Sequence, residues 1–294
     1  MAAVLALLAS LLWGAGDFGG GLLARRLPVV VVIALSQATA LVFVGIAFGI
    51  VEATGSVSWD VAPIAWGVGS GVAGIVGLVS FYYGLSLGAM GVVAPIASLG
   101  LGVPVIVGLA SGDRPSALQI AGIAIAVVGV VLVARTPASA TTEPDGGRAA
   151  AVHRRSVVCA LLAAAGFGIG ILAIAKGSGD SDASGRVVLT LLAQRLTDVG
   201  IALVALLVLR QGVRAVRRPD LLPLAAVGFL DIAANGALGL ASQRGLVSVV
   251  SVLSSLYPVV TTLLARQFLR ERLGRTQLVG VGVSLVGVIA LGAG

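Results

Sequence analysis

Long uninterrupted apolar runs constrain the fold of this sequence more than any other feature. A helix that crosses the hydrocarbon core of a bilayer needs roughly 20 mostly apolar residues. Ten segments meet or approach that length: residues 2–24, 28–51, 61–87, 91–110, 117–134, 156–176, 186–209, 221–242, 246–268 and 276–293. They do not alternate between polar and apolar residues as the strands of a membrane β-barrel do. The sequence therefore predicts an all-α integral membrane protein with ten transmembrane helices.

The composition agrees with this class and excludes several kinds of site. Hydrophobic residues make up 58% of the 294 residues and charged residues 11%, whereas soluble proteins carry about 25% charge. The chain has one cysteine, Cys159, and one histidine, His153. A disulfide within the chain and a cluster of His and Cys metal ligands are thereby excluded. We expect no metal, no cofactor and no cleaved signal peptide, since the first apolar run has no basic start.

The positive charges indicate an orientation in the membrane. Most of the 19 Lys and Arg residues fall in the loops after the first, fifth, seventh and ninth segments. Basic loops tend to stay in the cytoplasm. We therefore expect a multi-pass protein of the plasma (inner) membrane with both termini outside the cytoplasm. The net charge of +7 then reports orientation, and no nucleic-acid partner is expected.

One polar stretch divides the apolar segments into five and five. It reads TPASATTEPDGGRAAAVHRR, residues 136–155, and its lack of apolar periodicity predicts a linker loop. The flanking parts, residues 1–135 and 156–294, resemble each other. WGAG at residues 13–16 matches FGIG at 167–170, and Gln37 matches Gln194. Further matches at identical offsets are Asp113/Glu271, Arg114/Arg272, Gln119/Gln277, Gly122/Gly280 and Gly129/Gly287.

A repeat of five spans has a geometric consequence. Because five is odd, the second copy must enter the membrane in the opposite sense to the first. Such inverted repeats suit alternating access, with the substrate site near the midplane between the halves. We therefore predict two inverted five-helix repeats around a central cavity.

These features together resemble the drug/metabolite transporter superfamily, specifically its ten-span members with two EamA domains. The resemblance is carried by the WG near the start of the first segment, by the linker, and by the pattern acid-x5-Gln-x2-Gly-x6-Gly that ends each half. It implies a ten-helix basket with a central cavity and transport of small organic metabolites, often export. It implies no particular substrate and no catalytic residues.

Four ionisable residues stand out within the predicted spans, where charge is costly and commonly marks a cavity or a partner. Asp231 is nearly central in the eighth segment, with Asn235 one turn later as a polar companion. Arg195 and Asp198 are three residues apart and share a helix face, so they form either a structural ion pair or a site where Arg195 holds a carboxylate or phosphate. Asp17, in the first segment, either lines a wet cavity or satisfies backbone groups near its glycines.

The balance of these charges suggests coupling to protons. Three aspartates face one arginine, and all cannot be ionised comfortably in a low dielectric. We expect at least one aspartate to hold a proton that it can exchange for a cationic substrate.

Other residues are weaker candidates. Polar groups that need partners within a span, and are predicted to line the cavity, are those of Gln37, Gln194, Tyr82, Tyr83 and Tyr257. Most other aromatic residues within the spans, Trp13 among them, are expected to be packing. Pro104 and Pro258 interrupt helix hydrogen bonding and act either as gating hinges or as sources of static curvature.

The sequence thus favours a secondary transporter, a gradient-coupled exporter of a small organic metabolite such as an amino acid. Arginine would hold a carboxylate and aspartate an amine. No GxxxxGK[ST] loop is present for ATP. The alternatives are a passive channel or a membrane scaffold, and then an intramembrane enzyme, for which the spans hold no Ser/His or Cys/His pair. The expected partners are lipid, the metabolite and protons, and the protein is a monomer or a homodimer.

Overall fold

The structure is a computed structural model that describes residues 1–57, 59–87, 93, 96–134, 146–179, 184–212, 215–269 and 275–293. Helices account for most of these residues. They are α1 (Ala2–Ala24), α2 (Val29–Ala53), α3 (Val61–Ser86), α4 (Gly102–Ala110), α5 (Ala117–Ala134), α6 (Gly146–Ser178), α7 (Ser184–Val208), α8 (Arg218–Ser242), α9 (Val247–Ser254), α10 (Tyr257–Leu269) and α11 (Arg275–Ala293). Glu271 and Arg272 of the repeat pattern, and residues 136–145 of the predicted linker, lie outside the described residues.

The helices have the length and polarity of membrane spans. Six are long and apolar enough to cross a bilayer: α1, α2, α3, the Arg154–Ser178 part of α6, α7 and α8. Shorter apolar helices run over Ile96–Ala110, Ala117–Gly129, Val247–Thr261 and Leu278–Leu291. The prediction of an all-α, multi-pass membrane protein is confirmed. The count of ten spans stays a prediction.

Two boundaries differ from those that the sequence predicted. Helix α6 begins at Gly146, so residues 146–155 of the predicted linker are helical and His153 lies on a helix. Alanine-rich sequence after Arg148 favours helix even where the composition is polar. The predicted segment 246–268 is broken, because α9 ends at Ser254 and α10 starts at Tyr257.

Both candidate hinge prolines lie in the first turn of a helix. Pro258 is the second residue of α10. Pro104 is the third residue of α4, which follows a 3₁₀ turn over Leu99–Leu101. Proline costs little in a first turn, where its missing N–H has no partner in any case. Each proline therefore starts a helix after an irregularity instead of kinking a continuous one.

Contacts between the two halves of the chain are reciprocal, meaning that corresponding helices of the two halves make corresponding contacts. Helix α3 packs on α6 and α1 on α8, while α2 packs on α7 and α5 on α11. Small residues allow the close approach: a Cβ added to Gly71 of α3 would lie 2.7 Å from Cβ of Thr197, and one on Gly77 would lie 2.8 Å from Cδ1 of Phe167. Close packing through glycine is a common way for helices to associate in lipid.

Two buried apolar clusters lie towards opposite ends of the bundle. One includes Ala6 of α1 and Leu238 of α8. The other includes Leu23 at the end of α1 and Leu224 near the start of α8. The polar residues of the long helices lie between these clusters, at mid-span.

Candidate functional site

A cavity at mid-span collects nearly all of the candidate residues. Its empty volume is about 640 Å³, including space open to solvent. It is lined by Trp13, Asp17, Gln37, Gly74, Ile75, Leu78, Phe167, Gly170, Ile171, Ile174, Gln194, Arg195, Asp198, Asp231, Asn235 and Tyr257. Both halves of the chain contribute to this lining.

Asp231 is the most heavily bonded acid in the cavity. Its Oδ1 accepts hydrogen bonds from Nε1 of Trp13 and Nδ2 of Asn235, each over 3.2 Å. Its Oδ2 accepts one from Nε2 of Gln37 over 3.1 Å and pairs with Nη1 of Arg195 at 2.9 Å. Four donors suit an ionised carboxylate, because each donor favours the charged form. Asp231 therefore serves as a fixed counterion that ties α8 to α1, α2 and α7.

Gln37 bridges the two charges. While its Nε2 donates to Asp231, its Oε1 accepts a hydrogen bond from Nη1 of Arg195. Both the nitrogen and the oxygen of the amide are thus bonded, and the two charged partners fix its orientation. Gln37 itself is 2% exposed.

Arg195 is buried but only partly satisfied. Its Nη1 contacts Oδ2 of Asp198 at 3.0 Å as well as Asp231 and Gln37. Its Nε and Nη2 have no hydrogen-bond partner in the described part of the chain, and neither has Oδ1 of Asp198. A guanidinium offers five N–H groups in a planar fork, so the unused edge of Arg195 is available to an anionic group. The ion pair and the ligand-holding arginine predicted as alternatives are therefore compatible.

Asp17 differs from the other two aspartates. It is partly buried and lines the cavity, yet within the described residues it makes no hydrogen bond or ion pair. It lies four residues along α1 from Trp13, so both residues are on the same helix face. This carboxyl group is free to bind a donor brought by a ligand.

Gln194, which matches Gln37 in the repeat, makes different bonds. Its Nε2 donates to Oγ of Ser70 over 3.0 Å. Because the Ser70 hydroxyl in turn donates to the backbone oxygen of Gly170 over 3.1 Å, Ser70 must accept from Gln194, which fixes the amide orientation. The Oε1 atom of Gln194 is left buried without a partner.

The candidate tyrosines have different surroundings. Tyr257 lines the cavity and packs edge-on against Trp13 with ring centroids 6.4 Å apart. Its buried hydroxyl has no partner among the described residues. Tyr83 is 45% exposed and does not line the cavity. The adjacent residue, Tyr82, is buried.

Sequence reasoning missed several lining residues. Trp13 was expected to be packing, although its indole bonds to Asp231. Trp13 and Phe167 occupy matching positions in the repeat, and both line the cavity, so the WGAG/FGIG match was the signal that could have identified them. Ser70, which is not itself a lining residue but bonds to Gln194 and Gly170 of the lining, carried no sequence signal.

Charge is confined to part of the cavity wall. Arg195, Asp198 and Asp231 come from α7 and α8, and Asp17 comes from α1. The part of the wall that α3 and α6 form is apolar or glycine: Gly74, Ile75, Leu78, Phe167, Gly170, Ile171 and Ile174. The cavity is thus suited to a ligand with a polar, charged end and an apolar body. Among the described residues, no group of three or more acidic, His or Cys side chains could hold a metal ion.

Comparisons with known proteins agree with this architecture. No curated protein sequence matches the chain. Among the matching solved structures, one crystal structure superposes with a TM-score of 0.73 over 98% of this chain and 95% of its own, at 19% sequence identity. That likeness shows a shared fold. Residues 154–293 match the EamA-like transporter family. The second half of the chain is thus similar to EamA-like transporters, as the sequence predicted, and this match supports a membrane transporter.

Proposed function

We propose that this protein is a secondary transporter that exports a small amino acid or a related zwitterion by alternating access, in exchange for protons. The observation that carries the proposal concerns one cavity: within the described residues, Nε and Nη2 of Arg195 are unpaired and Asp17 has no partner. An arginine fork suits a carboxylate, and a free carboxyl group suits an ammonium group. A zwitterion supplies both.

The three aspartates of the cavity then have different roles. Asp231, with its four donors, holds the network together as a fixed charge. Asp17 exchanges its proton for the amine of the substrate, because it has no other partner to keep it ionised in a low dielectric. Asp198 balances Arg195 from the same helix.

The reciprocal packing of the halves supports alternating access. A transporter built from inverted repeats exposes its central site to each side in turn as one half rocks against the other. The pairings of α1 with α8 and of α3 with α6 are those that a two-fold relation between the halves would give. The division into residues 1–135 and 156–294 and the orientation with both termini outside the inner membrane are part of this proposal.

The test is export from cells. Cells expressing the wild type, Asp17→Asn or Arg195→Lys at matched protein levels are compared by untargeted mass spectrometry of medium and cytosol. We expect at least one amino compound to accumulate in the medium with the wild type and to fall to the empty-vector level with either variant. Glu52→Gln is the matched control, because Glu52 is an exposed acid outside the cavity.

Two outcomes would contradict the proposal. If no amino compound moves with the wild type, the substrate class is wrong. If a compound moves only until its concentrations are equal on both sides, the protein acts as a passive channel.

A further inference from the structure

A second, smaller chamber adjoins the main cavity. Its empty volume is about 250 Å³, including open space. It is lined by Trp13, Gly16, Asp17, Gln37, Leu78, Tyr82, Val227 and Asp231. Gly16, Tyr82 and Val227 line only this chamber, whereas Asp17 lines both spaces.

The chamber extends from Asp17 towards one end of the bundle. Tyr82 lies in the last turns of α3, which ends at Ser86, and Val227 lies in the first part of α8. Both are near the end of α1, where Arg26 follows the helix. Ile171 and Ile174 of the main cavity lie towards the opposite end, because the C-terminal end of α6 at Gly177 packs against Trp66 near the start of α3. We call the first of these the Arg26 end.

Tyr82 is built into the wall of the chamber without a protein partner. The residue is 2% exposed, and its hydroxyl makes no hydrogen bond to any described residue. The hydroxyl lies against the backbone of Gly20, in the space that a side chain at that position would fill. A buried tyrosine hydroxyl ordinarily finds a partner, so the unused group of Tyr82 indicates a molecule in the chamber.

Water fits this space. A buried water needs room and two to four polar partners. The chamber offers the carboxyl group of Asp17 and the hydroxyl of Tyr82, with the side chains of Gln37 and Asp231 at the boundary to the main cavity. Towards the Arg26 end, Tyr82 belongs to a buried apolar cluster with Leu23, Leu85 and Leu224, which we infer closes the chamber.

We propose that this chamber holds water and carries protons between Asp17 and the Arg26 end, with the hydroxyl of Tyr82 as a relay. Chamber water donates a proton to the Asp17 carboxylate and takes one from Tyr82, which regains a proton from the water that enters when the apolar seal opens. One proton enters for each that reaches Asp17. The proton route and the substrate route thus meet at Asp17. The inference rests on the proton exchange proposed above and adds a separate path for it.

Besides Asp17, several titratable groups line the two spaces. They are Asp231 of α8, Tyr257 of α10, Arg195 and Asp198 of α7, and Tyr82 of α3. Among the described residues, α2 and α9 contribute no titratable side chain to either space. Of the groups named, Tyr82 is the one that lines the chamber and not the main cavity.

The chain contains its own reporter for a test that needs no substrate. It has three tryptophans, and only Trp13 lines the cavities, while Trp59 and Trp66 are 64% and 43% exposed. With Trp59→Phe and Trp66→Phe as the background, stopped-flow pH jumps on the purified full chain follow Trp13 fluorescence. Asp17→Asn identifies the phase that depends on protonation of Asp17.

We expect Tyr82→Phe to slow this phase by about tenfold or more without changing its amplitude, since a positioned proton-transferring side chain contributes on that order or above. Gly16→Ala places a methyl group at the chamber. The added Cβ fits, because its nearest neighbour would be 3.6 Å away. We expect this variant to slow the Asp17-dependent phase as well. Tyr83→Phe is the matched control and is expected to behave as the background does.

Two results would overturn the inference. One is an Asp17-dependent phase that keeps its rate in both Tyr82→Phe and Gly16→Ala, which would place the proton route elsewhere. The other is the absence of any Asp17-dependent phase, which would remove Asp17 as a proton carrier. Failure of the transport proposal is separate, because it is judged by export of metabolites and not by fluorescence.

Discussion

The indole nitrogen of Trp13 donates a hydrogen bond to Oδ1 of Asp231 over 3.2 Å. This contact joins the first helix of one half of the chain to the third helix of the other. It also leaves Asp231 with donors on both oxygens, since Gln37 and Arg195 occupy Oδ2. The acid at the centre of α8 is therefore held from three other helices.

Replacement of Asp231 by asparagine should lower stability. An amide retains one acceptor and turns its N–H groups towards existing donors, so at least one buried donor loses its partner at about 1–3 kcal/mol. We expect Asp231→Asn to unfold at a lower temperature than the wild type in a thermal-shift measurement in detergent. Asp198→Asn should cost less, because Oδ1 of Asp198 has no partner to lose. An equal or larger loss with Asp198→Asn would reverse this ranking of the two acids.

Tyr257→Phe separates function from stability. The hydroxyl of Tyr257 is buried without a partner, and removing such a group relieves a cost of about 1–3 kcal/mol. We expect Tyr257→Phe to unfold at a higher temperature than the wild type in the absence of substrate, yet to export less. Tyr83→Phe should change neither quantity. A Tyr257→Phe protein that is less stable would mean that the hydroxyl has a partner, such as a bound water.

Two glycines of α3 should respond oppositely to the same substitution. A Cβ on Gly71 would lie 2.7 Å from Cβ of Thr197, whereas one on Gly69 would have no neighbour within 4 Å. We expect Gly71→Ala to destabilise the packing of α3 on α7 by about 1–3 kcal/mol, as overpacking does. Gly69→Ala should be neutral or slightly stabilising. Unfolding of both variants in detergent checks the pair, and equal effects would contradict the packing described for α3.

At the start of α8, Asp220 forms an ion pair with Arg26, and the two side chains differ in solvent exposure. The two side chains are 2.8 Å apart, but that of Asp220 is 4% exposed and that of Arg26 is 59% exposed. Asp220 also accepts a hydrogen bond from the backbone N–H of Arg217 over 3.0 Å. We expect Arg26→Ala to cost about 1 kcal/mol or less, as exposed ion pairs do.

Asp220→Ala should cost more than Arg26→Ala, by about 1 kcal/mol, because it also removes the helix cap. Thermal unfolding of the two single variants and of the double variant gives the comparison. If Arg26→Ala proves as costly as Asp220→Ala, the ion pair and not the cap stabilises this end of the helix.

Helix positions were predicted more accurately than the facing of side chains. Helices α1 and α5 have the predicted bounds, because polar or turn-forming residues flank their apolar runs. The break between Ser254 and Tyr257 was missed, since the sequence stays apolar across it. Hydropathy indicates where a chain crosses lipid, but it does not indicate where a helix locally loses its hydrogen bonds.

At the candidate site, too, the sequence did not show in which direction each side chain faces. Tyr82 and Tyr83 are adjacent, and one residue turns a helix by about 100°, so only the structure could show that Tyr82 faces inward. Ser70 was missed because a serine in a span can bond to its own helix, whereas here it bonds to Gly170 of α6 and Gln194 of α7. The charged residues were identifiable because burial of charge in lipid is rare enough to be informative.

The charged residues of the cavity lie on α7, on α8 and at one position of α1. This uneven distribution has a consequence for how such chains can evolve. A transporter assembled from two identical five-helix subunits would have to place every buried charge twice, so an arginine like Arg195 would face its own copy across the cavity. Joining the halves in one polypeptide removes that constraint, and each half can diverge alone. The described lining of the cavity then contains one arginine, Arg195, where a pair of identical subunits would place two.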